Sequence, residues 1–270
     1  MNLNKKIIWR WAKVIIIIYC AIGIALYYLQ DYFLFHPEPL ASNYAYSFKP
    51  RFEEIRMPVN KEDTISVVKF YPDTIVPKGL VLYYHGNMKN IGHYANYIDV
   101  FLQHGYEVWM GDYPGYGKTT GTRTEEKMYE QSRIIYTMAA SVYRSDSIII
   151  YGKSLGTGIA TYVASYGRAK VLVLETPYYD IPSLFGHYAF IYPVTAMSNY
   201  KIPTFEYIRE VNYPIIIFHG TGDDVIPYKN AKRLDPLLKQ GDKFLTIKDG
   251  GHNTLTKTSE YKKLLDSLLK

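Results

Sequence analysis

The sequence holds a single cysteine, Cys20, so an intramolecular disulfide and a cysteine-based metal site are both excluded. That scarcity fixes no compartment, because a chain of 270 residues buries enough apolar surface to be stable without cross-links. Low-complexity tracts, internal repeats and long linkers are absent. With 48% hydrophobic residues the composition is not that of a disordered chain. Acidic residues are missing from the first thirteen positions, where Lys5, Lys6, Arg10 and Lys13 carry most of the formal +6 charge. The remainder is close to neutral with its charges interspersed, which excludes the basic footprint of a nucleic-acid-binding surface.

An apolar run follows that basic tip. From Val14 to Leu29 no residue is charged, and Tyr27, Tyr28, Tyr32 and Phe33 then resemble an interfacial aromatic belt. Three readings fit this segment: a retained signal anchor, a cleaved secretory signal, or a buried core helix. Length and flanking charge favour the anchor, although the run is at the short end for a bilayer span. No convincing small-residue cleavage site is present. Tyr19 is too large to precede a lipidated cysteine, so Cys20 is not read as a lipid attachment site. The positive-inside rule keeps the basic tip cytoplasmic and places the body in the periplasm, lumen or exterior. Secretion is the alternative.

Beyond the anchor, short continuous apolar runs recur at Gly79–Tyr84, Tyr106–Met110, Ile148–Tyr151, Val171–Leu174, Ile215–Phe218 and Lys243–Ile247. Continuous β-branched runs suit strands buried on both faces of a parallel sheet. Helical patterns lie between them at Tyr94–His104, Glu125–Tyr143, Gly156–Tyr166, Lys229–Leu238 and Ser259–Leu269. The alternation predicts a mostly parallel, doubly wound α/β sheet with flanking helices. Phe52–Val59 and Ile65–Phe70 alternate better and suit an antiparallel edge. Residues 178–212, rich in Tyr, Phe and Pro, interrupt the alternation. They read either as a short cap or as an ordinary surface excursion.

The chemical signal is Gly152-Lys153-Ser154-Leu155-Gly156, set between a predicted strand and a predicted helix. That is the context of a nucleophile elbow, in which glycines avoid clashes and the serine projects above the sheet edge. A serine hydroxyl needs a base, and the base needs an orienting acid. Downstream, strand ends supply Asp223 in His219-Gly220-Thr221-Gly222-Asp223-Asp224 and His252 in Gly250-Gly251-His252-Asn253. Asp224 is a close rival to Asp223, and Glu175 is a further candidate acid. For the oxyanion, the backbone N–H of Leu155 is one expected donor. Asn87, in the turn His85-Gly86-Asn87-Met88, is the other, with Met88 as second choice. His85 reads as structural.

Together these blocks resemble the α/β-hydrolase superfamily, and within it small membrane-anchored serine hydrolases related to protein depalmitoylases. The matching stretches are HGN at 85–87, GDYPGYGKTTG at 111–121, GKSLG at 152–156, LETP at 174–177, HGTGDDVIP at 219–227 and GGHN at 250–253. The resemblance implies the α/β-hydrolase fold over residues 36–270, with a cap-like insertion at about 178–212, after a tip and anchor at 1–35. It places the acid of the family pattern at Asp223. Thr119-Thr120 depart from the serine usual after the 111–117 turn, and the cap matches only loosely. The expected chemistry is hydrolysis of a carboxylic ester or thioester by Ser154, His252 and Asp223, without metal or organic cofactor. The expected substrate is small and acyl or lipid-like, met at a membrane. A small-peptide peptidase and a non-catalytic binding module on the same fold are the rival readings.

Overall fold

The computed structural model describes residues 5–270; the first four residues of the expected 1–35 segment lie outside the described residues. In chain order, α1 (Lys5–Tyr28), α2 (Gln30–Leu34) and β1 (His36–Pro37) precede a hairpin of β2 (Phe52–Pro58) and β3 (Thr64–Phe70). Next come β4 (Gly79–Tyr84), β5 (Met88–Lys89), α3 (Ile91–Tyr94), α4 (Asp99–Gln103) and β6 (Tyr106–Gly111). Then follow α5 (Glu125–Val142), β7 (Ile148–Lys153), α6 (Leu155–Tyr166) and β8 (Val171–Glu175). The 178–212 stretch carries α7 (Ile181–Tyr188), α8 (Val194–Met197) and α9 (Thr204–Tyr207). The chain closes with β9 (Ile215–Gly220), α10 (Tyr228–Ala231), β10 (Lys243–Ile247) and α11 (Ser259–Leu269).

Eight strands form one sheet in the order β10-β9-β8-β7-β4-β6-β3-β2. From β10 to β6 every neighbouring pair is parallel, while β3 is antiparallel to both β6 and β2. This is the α/β-hydrolase architecture expected from the sequence, with the alternating segments as its antiparallel edge. Every residue of β4 and β7 is buried. Alternation along β4 assigns its two faces. Leu80, Leu82 and Tyr84 join the core with α5 and α6 residues, and Val81 and Tyr83 join the core with Phe101 and α11 residues. A strand covered on both sides has no solvent face, which is why its sequence is a continuous apolar run.

Two helices expected as single stretches are broken. Tyr94–His104 resolves into the end of α3, a 3-10 turn at Ala95–Tyr97, and α4. The Asn96 side chain donates to the His93 carbonyl at 3.0 Å, competing with the helical backbone bond there. Lys229–Leu238 becomes α10 followed by a 3-10 stretch at Lys232–Leu237, since Pro236 has no N–H to continue an α-helix. By contrast α5 starts where a cap is available, with Thr124 accepting from the Lys127 N–H and Glu125 and Glu126 in the first turn.

At the N-terminus, α1 is long and apolar enough to cross a membrane, and none of its residues is buried in the protein. It is therefore no core helix of the body. After α2, β1 pairs in parallel with β5, joining the chain that leaves the N-terminal helices to the loop after β4.

Candidate active site

Five neighbouring parallel strands bring their carboxyl ends together, and four of them contribute the residues singled out in the sequence. Ser154 follows β7, Asp223 follows β9, His252 follows β10 and Asn87 follows β4. The order of β4 reverses the winding direction, with β6 on one side and β7 on the other. The crevice of an open α/β sheet lies at such a reversal.

Ser154 holds φ 52° and ψ −120°, a left-handed conformation that a non-glycine residue adopts only under strain. Its N–H donates to the Glu175 carbonyl at 2.9 Å, and its own carbonyl accepts from Thr157. The glycines on either side permit the turn. A Cβ on Gly156 would collide with the Tyr84 and His85 carbonyl oxygens, and one on Gly152 would lie 2.6 Å from the Gly156 oxygen. Hence the strand-to-helix reversal at 152–156 requires both.

The Ser154 Oγ lies 2.9 Å from His252 Nε2, and His252 Nδ1 lies 2.9 Å from Asp223 Oδ2. The other Asp223 oxygen accepts from the N–H groups of Val225 (2.9 Å) and Ile226 (2.7 Å). Burial pushes the Asp223 carboxyl up. The hydrogen bond and charge of His252, with the Ile226 N–H and His219, outweigh it and hold the group below the usual carboxylate range. A charged carboxylate on Nδ1–H leaves Nε2 free to accept the serine proton. Asp224 is exposed and lines the cavity instead. Glu175 is fully engaged elsewhere: its carboxylate is buried against Lys153, Tyr151 and Tyr261.

Neither the Asn87 N–H nor the Leu155 N–H has a hydrogen-bond partner among the described residues, whereas the Met88 N–H donates to the Tyr94 hydroxyl at 3.3 Å. The loop that carries Asn87 is held from several directions. Its carbonyl accepts from the Tyr116 hydroxyl (2.8 Å) and from the His36 N–H (2.9 Å), and its side chain donates to the Leu34 carbonyl (3.1 Å). Tyr113 donates to the His85 carbonyl at 2.7 Å. His85 itself is buried, with Nδ1 2.7 Å from the Gly86 oxygen and its ring stacked on Tyr94. The 111–117 block thus supplies two tyrosine hydroxyls that position this loop. The sequence marked this block as a stretch matching the family pattern but did not single out Tyr113 or Tyr116. Thr119 and Thr120, the departures from the family pattern, accept from the N–H groups of Ser66 and Thr64 and clip the turn to β3.

Ser154, Leu155 and Asn87 lie at one end of a cavity of about 720 Å³. Apart from Asp224 and several tyrosines the rest of its lining is apolar, with Ile181 and Phe185 from α7, Ile226 after β9, and Ile22 and Leu26 from α1. The contribution of α1 was not foreseen. Among the described residues no cluster of three or more His, Cys, Asp or Glu side chains is placed to hold a metal ion.

Residues 76–207, just under half of the chain, match the family model described as serine aminopeptidase, S33. The human alpha/beta hydrolase domain-containing protein 17B is 25% identical over 189 residues, covering 68% of this chain and 64% of that protein. Protein 17C of Xenopus tropicalis is 25% identical over 186 residues, covering 67% of this chain and 58% of its own. The chain thus spans about three-fifths of the length of these relatives. Among solved structures, an esterase of Pyrococcus furiosus superposes with a TM-score of 0.66 at 16% identity, over 87% of this chain and 96% of that one. A 2,6-dihydroxy-pseudo-oxynicotine hydrolase gives 0.67 at 17% identity, over 82% and 68%. Its sheet order and strand directions, alongside these matches, give the chain the α/β-hydrolase fold and make it similar to hydrolases of that fold.

Proposed function

We propose that this hydrolase cleaves carboxylic esters or thioesters by acyl transfer through Ser154, acting on apolar acyl substrates at a membrane. The observation that carries the reading is the run of two 2.9 Å contacts, Ser154 to His252 to Asp223, at the end of a largely apolar cavity. In the first half-reaction the Ser154 oxygen bonds to the acyl carbon while its proton passes to His252 Nε2. The carbonyl electron pair moves onto oxygen, where the N–H groups of Asn87 and Leu155 receive it. Collapse breaks the bond to the leaving alcohol or thiol, which takes the proton from His252. In the second half-reaction water replaces the leaving group, gives its proton to His252 and releases the acid, restoring Ser154. Asp223 fixes the tautomer and balances the imidazolium.

The reading extends to place. α1 anchors the protein, Lys5, Lys6, Arg10 and Lys13 stay cytoplasmic, and residues 36–270 act from the other side with 178–212 as a cap. The 24-residue helix, basic over its first turns and apolar from Val14 onward, supports this.

Labelling of the full chain with a fluorophosphonate probe, beside Ser154→Ala, tests the reaction. Labelling lost in the variant, with ester hydrolysis rising toward medium or long acyl chains, is expected. A folded wild type that is neither labelled nor active would overturn the assignment and leave a binding module. One observation favours a second reading: Asp224 is the one carboxylate among the described residues lining the cavity, placed as a group that receives a substrate amine would be. Turnover of aminoacyl nitroanilides that disappears on N-acetylation and in Asp224→Asn would move the assignment to peptides.

A further inference from the structure

One wall of the cavity comes from outside the α/β body. Ile22 and Leu26 of α1 and Phe33 of α2 line it together with Phe185 and Ile191. A simple tether would have no need of fixed contacts, yet α1 is docked by several. The Tyr19 ring stacks on Tyr192 at 4.6 Å with 9° between planes. The Tyr19 hydroxyl donates to the Ile191 carbonyl at 3.0 Å, and the Tyr192 hydroxyl donates to the Tyr19 carbonyl at 3.1 Å. Gly23 lies under the same ring, where a Cβ would stand 3.1 Å from it. Further along, the Gln30 amide donates to the Met197 carbonyl at 3.3 Å, and its oxygen accepts from the Asn199 N–H at 2.6 Å.

Depth follows from helix geometry. At ~1.5 Å per residue, the uncharged stretch between Lys13 and Asp31 is about 25 Å long, and Tyr19 lies about 18 Å along the axis from Asp31. A hydrocarbon layer is ~30 Å thick. When α1 enters a bilayer, the loop stacked on Tyr19 goes in with it. The loop is built for that surrounding: Phe190 is 81% exposed and Ile191 58%, beside the exposed apolar flank of α1. The cavity accordingly has a buried end at Ser154 and a rim of Ile22, Phe33, Phe190 and Ile191 at the level of the lipid chains.

We propose that α1 forms part of the substrate site, and that the cavity receives the long acyl chain of a bilayer-resident ester sideways, between α1 and the Phe190-Ile191 loop. Leu26 and Ile22 then set the chain length accepted. This rests on the reading of Ser154 as the acyl-transfer nucleophile, and the test separates the two.

The full chain in lipid vesicles is compared with Leu26→Trp and Ile22→Trp, which fill the cavity, and with Ile24→Trp, which faces away from it. The first measurement is the ratio of hydrolysis of sixteen-carbon to four-carbon nitrophenyl esters. At least a tenfold fall is expected for Leu26→Trp or Ile22→Trp, and less than twofold for Ile24→Trp. An unchanged ratio in both filling variants overturns the proposal. The second measurement needs no turnover. Ser154→Ala protein is irradiated with a palmitate carrying a terminal diazirine, and adducts are mapped by mass spectrometry. Adducts on Ile181, Phe185 or Ile226, reduced at least tenfold by Leu26→Trp, are expected. Adducts confined to outward residues such as Ile17 and Ile24 overturn the proposal. Cavity adducts in a protein whose wild type hydrolyses no ester would keep the α1 wall and remove the reaction assigned to Ser154.

Discussion

Asp223 turns inward from the end of β9 to His252, while its neighbour Asp224 faces the cavity, so one backbone position separates two chemical roles. On the proposed mechanism, Asp223→Asn leaves the geometry nearly intact but lets the wrong imidazole tautomer form. Turnover is expected to fall about 10⁴-fold. Asp224→Asn should stay within a few-fold on esters, and steady-state kinetics on one ester distinguishes them. His219 offers a second test at this scale. It is buried, its Nε2 lies 3.0 Å from the Ile226 carbonyl, and its Nδ1 has no partner. Burial holds its imidazole below the ordinary value of 6.5, with His252 adding to the effect against Asp223 and the Ile226 carbonyl. The unfolded chain therefore takes up a proton as pH falls through 6.5 while the folded protein does not. Folding stability is lost over that window until His219 itself protonates at its lower folded value. One such group contributes a slope of up to about 1.4 kcal/mol per pH unit. Thermal midpoints in detergent between pH 7.5 and 5 should accordingly fall less steeply for His219→Asn than for the wild type.

Among the elements, the strands were legible because burial on both faces leaves a signal in composition alone. Gly79–Tyr84 and Lys243–Ile247 have the ends read from the sequence, and the other central strands run only one or two residues further. The short helices were less legible, since Asn96 and Pro236 act locally against a pattern that extends past them. At the candidate site, Ser154, Asp223 and His252 were marked in the sequence by glycine-rich turns at strand ends, and the fold brings them within hydrogen-bond distance. Tyr94, Tyr113 and Tyr116 were not, because in a chain with 29 tyrosines nothing marks which hydroxyls meet the backbone of the 85–88 loop. β7 and β8 carry a further device under the nucleophile turn. Lys153 and Glu175 form a buried ion pair, with Tyr151 and Tyr261 completing the carboxylate's contacts. Lys153→Met strands a buried negative charge and is expected to cost about 3–5 kcal/mol. The double change Lys153→Met with Glu175→Leu should recover much of that, and thermal denaturation of the two variants measures the difference.

At the scale of the whole molecule, the docking of α1 on the 189–199 stretch lay beyond sequence reasoning for a physical reason. Val14–Leu29 is uncharged on all sides, so no periodicity distinguishes the face that meets Tyr192 from the face left exposed. The same docking connects further than the cavity. The chain leaving the helix is fastened to the Asn87 loop by the His36 N–H, by the Asn87 side chain on the Leu34 carbonyl, and by the β1–β5 pair. A membrane helix tilts to match the thickness of its bilayer. On the proposed anchoring, that tilt would act as a lever whose short arm ends on the residue proposed to hold the oxyanion, and bilayer thickness would become an input to the chemistry. Turnover of one short ester in vesicles of fourteen-, eighteen- and twenty-two-carbon lipids should accordingly pass through a maximum. A flat response would mean that Leu29, the non-helical residue between α1 and α2, absorbs the motion before it arrives.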